Sequence, residues 1–286
     1  MSAVTVDVPS HLEQQRLTWD SVSRAWQRWQ PTFERGAGVV THRLLELAGP
    51  VDGKALLDVG SGVGEPALSA ALAVKGGSVV GVDVAPAMVA LARAAGAGHE
   101  NLTFLEGDIE SMGFAAASFD GVVSRWSLAF AADQGAMLRE LGRLLRPGGV
   151  LAASVWGEPQ HAPAISLAFK VISRELQLTP PPPGPGPFAM ADAQALSTLL
   201  TECGFRDVEI TDLTVPFTFA SLDEFAQFSK DVLPPGMRQL LRDRVGAVDA
   251  PRIWEAFREA ASSFEQTADG LLVPSVTRCV RAVLSP

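Results

Sequence analysis

The chain has 286 residues, of which 47% are hydrophobic, with a formal net charge of −9 and a mean hydropathy of +0.19. This content is enough for a full globular core, but no apolar run approaches the roughly 18–20 residues of a membrane span. The acidic balance disfavours nucleic-acid partners because it repels phosphate backbones, and the two cysteines, Cys203 and Cys279, are too few for a disulfide framework or, by themselves, a zinc site.

The segment from Met1 to Asp20 shows neither the basic region nor the apolar region of a secretory signal. We therefore expect a cytoplasmic protein whose partner is a small molecule, without nucleic acid, metal or a membrane span. The sequence leaves the oligomeric state open between monomer and homodimer.

The first fifty residues are predicted to be helical, from Leu12 to Arg35 and again from Val39 to Leu47. Beyond them, short apolar runs alternate with helical segments. Seven runs are predicted as strands: Ala55–Val59, Ser78–Val82, Leu102–Glu106, Phe119–Ser124, Val150–Trp156, Val208–Ile210 and Val276–Val283. This alternation predicts an α/β fold with a doubly wound, mainly parallel seven-stranded sheet.

The alternation stops after Trp156, where mostly helical segments take over. Residues 179–187 hold six prolines and two glycines, so a rigid loop is predicted there. We interpret residues 157–200 and 221–267 as insertions that roof the sheet.

A glycine-rich loop, residues 60–64, joins the first predicted strand to the following helix. Glycine permits a close backbone approach, and the helix N-terminus offers free N–H groups to a polar ligand. Dinucleotide enzymes carry similar loops, but the spacing here is G-x-G-x-G instead of G-x-G-x-x-G. Asp58, just before the loop, would repel a pyrophosphate and attract the ammonium of an amino acid.

Two further acidic residues follow the next two strands. Asp83 can accept both hydroxyls of a ribose, although it can also cap the helix that begins near Pro86. Asp108 can accept an adenine amino proton while Ile109 packs on the ring, although alone it would be an ordinary loop residue.

Together, these pieces resemble class I S-adenosylmethionine-dependent methyltransferases, and the small-molecule branch similar to ubiquinone/menaquinone C-methyltransferases. Six segments occur in family order: Leu57–Gly64, Val80–Asp83, Gly107–Asp108, Ser118–Trp126, Leu144–Gly149 and Cys203–Phe205. The resemblance implies a Rossmann-like fold and S-adenosyl-L-methionine as cofactor. It also implies an N-terminal helical lid (residues 1–50) on a methyltransferase domain (residues 51–286).

The resemblance assigns roles by position. The expected cofactor-binding residues are Asp58, Gly60, Ser61, Gly62, Gly64, Asp83, Val84, Met88, Gly107, Asp108, Ile109, Ser124 and, on the lid, Trp26. Arg125 is expected to border the methionine part and the substrate, and it is a candidate catalytic residue.

Several assignments have alternatives. Trp26 and Trp29 share a helix face, and the alternative for both is a core residue that packs the helix on the domain. Trp126 and Trp156 are expected to form a substrate wall, although Trp156 can equally be core. His161 can serve as a general base, or it can be a solvated loop residue.

The expected activity is methyl transfer from S-adenosylmethionine to a small apolar or aromatic metabolite. No fixed catalytic signature is present, but the sulfonium is already a strong electrophile. The alternatives are a non-methylating reaction on the same fold, a nicotinamide-dependent oxidoreductase, or an adaptor without catalysis. Asp58 and the glycine spacing disfavour the oxidoreductase.

Overall fold

One sheet organises the computed structural model, which describes residues 10–49, 52–180 and 182–286. The strands are β1 (Ala55–Val59), β2 (Ser78–Asp83), β3 (Leu102–Glu106), β4 (Phe119–Arg125), β5 (Leu145–Trp156), β6 (Phe205–Phe219), β7 (Glu265–Thr267) and β8 (Gly270–Leu284). Their order is β3-β2-β1-β4-β5-β8-β6, and β7 pairs with β8. The strands β1 to β5 are mutually parallel, and β8 runs antiparallel to both β5 and β6.

The predicted α/β fold is confirmed. Seven strands form the continuous path, as expected, and the three-residue β7 is an additional strand. Its polar sequence Glu-Gln-Thr lacks the apolar alternation that identifies a strand, so the pattern gave no signal for it. The last two long strands extend well beyond the predicted segments because they pair with each other almost from end to end.

Helices cover both faces of the sheet. They are α1 (His11–Ala48), α2 (Ala67–Ala73), α3 (Pro86–Ala95), α4 (Gln134–Leu144), α5 (Pro163–Glu175), α6 (Ala193–Glu202), α7 (Leu222–Asp231), α8 (Pro235–Val245) and α9 (Pro251–Ala261). None of the helices in these described ranges is long and apolar enough to cross a membrane.

The N-terminal segment forms one helix of 38 residues, so the predicted break between Arg35 and Val39 is wrong. The glycines there suggest a stop, but Gly36 serves close packing instead. A Cβ on Gly36 would lie 2.9 Å from Cδ1 of Phe217 on β6. Helix α1 can therefore pack this closely on β6 only because residue 36 is a glycine and has no side chain.

The predicted roof is helical, but its parts pack in different places. Helices α5, α7 and α9 pack together, and the residues after β5 and around α7 contribute to one large cavity. Helix α6 instead flanks the sheet, where Leu196 and Leu200 join the core around Phe205. The predicted insertion 157–200 thus includes α6, a helix that packs on a face of the sheet instead of roofing it.

We predict opposite effects for two glycine substitutions in α1. Gly36→Ala lowers the free energy of unfolding by about 1–3 kcal/mol, because the new methyl group overpacks against Phe217. Gly38→Ala is the matched control: it is exposed and its Cβ would meet nothing within 4 Å, so it raises stability by about 0.5–1 kcal/mol. Urea unfolding of both variants measures this, and stabilisation by Gly36→Ala would contradict the packing account.

Candidate active site

The glycine loop leaves β1 at the carboxyl edge of the sheet. Gly60, Gly62 and Gly64 have φ values of +71°, +52° and +127°, which disfavour any residue with a side chain. A Cβ on Gly60 would also lie 2.2 Å from Cβ of Ser127. The N–H groups of Gly60 and Ser61 donate to the Val82 carbonyl, which fixes the loop on β2.

Asp58 lies below this loop and is completely buried. Its Oδ2 accepts the N–H of Ala67 at 3.0 Å, at the start of α2, while its Oδ1 has no hydrogen-bond partner among the described residues. Burial raises the pKa of Asp58 to about 8. A buried carboxyl group with one unpartnered oxygen is costly, and a cation bound near it would offset that cost.

Asp83 ends β2 beside the loop. Its Oδ2 accepts the N–H of Gly62 at 2.8 Å, and its Oδ1 accepts that of Ala85 at 2.9 Å. Burial raises its pKa as well. The residue that caps α3 is Ala85, so the capping alternative for Asp83 does not hold.

Asp108 and Ile109 follow β3 on the same edge. Ile109 is buried, and Oδ1 of Asp108 accepts a long hydrogen bond from the Glu110 N–H at 3.2 Å. Gly107 reaches them with a φ of +156°. The loop after β1 and the carboxylates after β2 and β3 therefore face one space, whereas Asp58 lies behind the loop.

That space is a cavity of about 1380 Å³. The predicted site residues that line it are Trp26, Gly60, Ser61, Gly62, Asp83, Val84, Met88, Gly107, Asp108, Ile109, Arg125, Trp126 and Trp156. Those that do not line it are Asp58, Gly64, Ser124 and His161.

Ser124 is fully buried and serves the sheet instead of the cavity. Its Oγ donates to the Val59 carbonyl at 2.9 Å and is hydrogen-bonded to Oγ of Ser127 at 2.7 Å. Ser127 lines the cavity, so the serine at the end of β4 that faces the cavity is Ser127, three positions after the predicted Ser124. Gly64 packs against Leu68, where a Cβ would come within 2.6 Å.

His161 ends a short 3-10 helix, Pro159–His161, and is exposed. Its neighbours Pro159 and Gln160 line the cavity, but His161 does not. The geometry therefore gives no support to His161 as a general base and agrees with the alternative of a solvated loop residue.

Arg125 lines the cavity, but its charge is already engaged. Its guanidinium forms a two-point ion pair with Glu34 of α1 and donates to Oγ1 of Thr41 at 2.7 Å. Only 8% of its side chain is exposed. This contact joins α1 to the end of β4, so the guanidinium of Arg125 holds these two elements together.

Trp126 and Trp156 form a parallel stack, with ring centroids 4.3 Å apart and an interplanar angle of 5°. Trp126 has a φ of +60°, which is a strained conformation for a bulky residue. Its Nε1 donates to Oγ1 of Thr277 at 2.8 Å, and that hydroxyl donates to the Val155 carbonyl at 2.7 Å. Strain held in place by a chain of hydrogen bonds is typical of a functional site.

The two tryptophans of α1 differ in their surroundings. Trp29 is a core residue whose indole N–H donates to Asp231 at 2.9 Å. Trp26 lines the cavity, its indole N–H has no partner in the described part of the chain, and its ring forms T-shaped contacts with Phe33 and Phe228.

Sequence reasoning missed Glu34, Glu65 and Thr277. Glu65 lines the cavity next to the glycine loop, accepts hydrogen bonds from Ser69 and has a pKa raised by burial. Its position directly after Gly64 was a usable signal. Glu34 and Thr277 had none, because their partners lie 91 and 151 residues away.

Known proteins resemble this chain in sequence and in fold. A family model described as a methyltransferase domain matches residues 57–153. An O-methyltransferase, rstn1, from Aspergillus nomiae is 30% identical over 200 residues, which cover 68% of this chain and 81% of that protein. The chain belongs to the S-adenosylmethionine-dependent methyltransferases.

Aklanonic acid methyltransferase DauC from a Streptomyces species is 35% identical over 138 residues, covering 46% of this methyltransferase and 63% of that protein. The match therefore spans less than two thirds of that relative. Phosphoethanolamine N-methyltransferase 2 of Haemonchus contortus, solved with S-adenosylhomocysteine, superposes with a TM-score of 0.59 over 98% of this chain and 61% of that one. At 19% identity, this likeness shows the shared fold.

We predict that Asp58→Asn stabilises the ligand-free protein in a pH-dependent way. The folded-state pKa of about 8 lies above the unfolded value, so the wild type loses stability as the pH rises from about 4 to 8. Asn carries no charge, so its advantage is small at pH 5 and reaches about 1–3 kcal/mol at pH 9. Thermal unfolding of both proteins at pH 5, 7 and 9 measures it; a variant that is less stable at pH 9 would contradict the assignment.

Proposed function

We propose that this methyltransferase transfers a methyl group from S-adenosylmethionine to a small apolar or aromatic metabolite. The observation that carries the acceptor class is the Trp126–Trp156 stack, which lines the same cavity as the glycine loop. Stacked indoles offer a flat apolar surface on which a planar acceptor can lie. The net charge of −9 argues against a nucleic acid as the acceptor.

The residues of the site fit the cofactor. The unpartnered Oδ1 of Asp58 and the loop above it suit the ammonium of the methionine moiety. Asp83 keeps lone pairs for the ribose hydroxyls beyond its two backbone hydrogen bonds. We assign Asp108 and Ile109 to adenine, and Met88 and Val84 also line the cavity.

When bound, S-adenosylmethionine supplies a sulfonium methyl group, which bonds to the acceptor nucleophile while the electrons of its C–S bond return to sulfur. The protein contributes orientation and a dry environment. Aromatic and aliphatic side chains from α1 and the roof exclude water from the cavity. Holding the nucleophile in line with the methyl group supplies much of the rate.

The proton of the acceptor requires little help from the protein in this scheme. His161 lies outside the cavity, and Glu34 is held by Arg125. Burial raises the pKa of three carboxyl groups near the glycine loop, those of Asp58, Asp83 and Glu65. Since Asp58 and Asp83 are assigned to the cofactor, Glu65 is the one left to act as a proton acceptor. Trp26, at the centre of α1, would cover the bound cofactor as part of the lid.

The first prediction of this proposal concerns cofactor binding. Isothermal calorimetry with S-adenosylhomocysteine should show binding by the wild type and at least tenfold weaker binding by Asp83→Ala, because two ribose hydrogen bonds are lost. Asp133→Ala is the control, since Asp133 caps α4 outside the cavity lining. Binding that is absent in the wild type, or indifferent to Asp83→Ala, would refute the cofactor site.

The second prediction concerns the acceptor wall. Thr277→Val removes the hydroxyl that holds Trp126, whereas Thr277→Ser retains it. We expect Thr277→Val to weaken binding of planar 2-naphthol by about three- to tenfold without changing S-adenosylhomocysteine affinity, and Thr277→Ser to resemble the wild type. Equal affinities in all three proteins would show that Trp126 does not contact the acceptor. A saturated analogue, decahydro-2-naphthol, tests whether planarity matters.

A further inference from the structure

Apart from Arg125 and Glu34, which pair with each other, the acidic and basic residues that line the cavity lie on different sides of it. The loops after β1, β2 and β3 contribute carboxylates, namely Glu65, Asp83, Asp108 and Glu110. Along the described part of residues 156–264, which forms the roof side, the charged lining residues are Lys170 and Arg174. This separation is notable in a protein whose net charge is −9.

Lys170 and Arg174 stand four positions apart on α5, so they share one face of that helix. Among the residues that the structure describes, none forms an ion pair or a hydrogen bond with the Lys170 ammonium. Arg174 pairs with Glu175 at 3.0 Å, but 59% of its side chain is exposed, and Arg252 shares the same carboxylate at 3.1 Å. Two guanidinium groups thus share one carboxylate while the Lys170 ammonium is paired with none in the described part of the chain, so this end of the cavity keeps a positive charge.

The surroundings of this basic face are apolar. Ile165 and Phe169 of α5 line the cavity, as do Phe188 and Phe264 from the facing segments. The Trp126–Trp156 stack continues the apolar wall. A ligand complementary to such a space has an aromatic body and one anionic end.

We propose that the methyl acceptor is an aromatic carboxylic acid whose carboxylate binds at Lys170 and Arg174. This inference rests on the proposed function, since it describes the acceptor of the same cavity. It makes the two cations specificity-determining residues: they select an acid over a neutral molecule of equal shape.

The test compares two probes of the same ring system. Protein saturated with S-adenosylhomocysteine is titrated with 2-naphthoate and with neutral 2-naphthol, following tryptophan fluorescence. We expect the wild type to bind 2-naphthoate more tightly, and the double variant Lys170→Met, Arg174→Met to lose about three- to tenfold in 2-naphthoate affinity while 2-naphthol binding stays unchanged. The preference should shrink as salt is added, because both cations are partly exposed.

Lys75→Met is the control for a general change of net charge, because it removes one positive charge from an exposed loop away from the cavity. Equal affinity of the wild type for both probes, equal losses of both probes in the double variant, or an equal loss in Lys75→Met would overturn the inference. Calorimetry with S-adenosylhomocysteine on the same samples separates the two proposals. Failure of the wild type to bind it refutes the cofactor site, whereas intact binding without a 2-naphthoate preference refutes only the acid acceptor.

Discussion

The carboxyl group of Asp58 holds the start of α2 against the end of β1, and the glycine loop is the chain between them. One oxygen accepts the Ala67 N–H, while the other faces no partner in a fully buried position. Folding therefore leaves a buried carboxyl group whose desolvation cost is only partly offset. The positive-φ glycines of the loop above Asp58 let the backbone approach a bound ligand closely, and a cationic group on that ligand would offset the remaining cost.

The rest of the cavity is built around that edge of the sheet. Helix α1 crosses the sheet at Gly36 and is tied to β4 by the Arg125–Glu34 ion pair. Its N-terminal half then passes over the strand ends, with Trp26 facing the cavity. The roof helices close the other side, and the Trp126–Trp156 stack stands where the two sides meet. The basic face of α5, formed by Lys170 and Arg174, lies on the roof side of the cavity, whereas acidic groups lie near the loops after β1, β2 and β3.

The parts that could be predicted from the sequence follow from local rules. Parallel strands end at one edge, so a glycine loop and acidic residues after successive strands had to meet there, and Asp83 and Asp108 do. Pairings distant in sequence left no such signal. Nothing around Arg125 indicates that Glu34, 91 residues earlier, engages its charge. Ser124 and His161 illustrate a second limit, because a predicted strand end does not fix the direction of a side chain. Ser124 is turned away from the cavity by its hydrogen bond to the Val59 carbonyl, and His161 by the short helix after β5.

Proton release on ligand binding tests the role of Asp58 most directly. At pH 7 a carboxyl group with a pKa of about 8 is mostly protonated, and a bound ammonium would favour its ionised form. Calorimetry of S-adenosylhomocysteine binding in buffers of different ionisation enthalpy should show the release of close to one proton, which Asp58→Asn abolishes. Adenosine, which lacks the ammonium, should release none. Binding without proton release, or the same release in Asp58→Asn, would contradict the central role of Asp58.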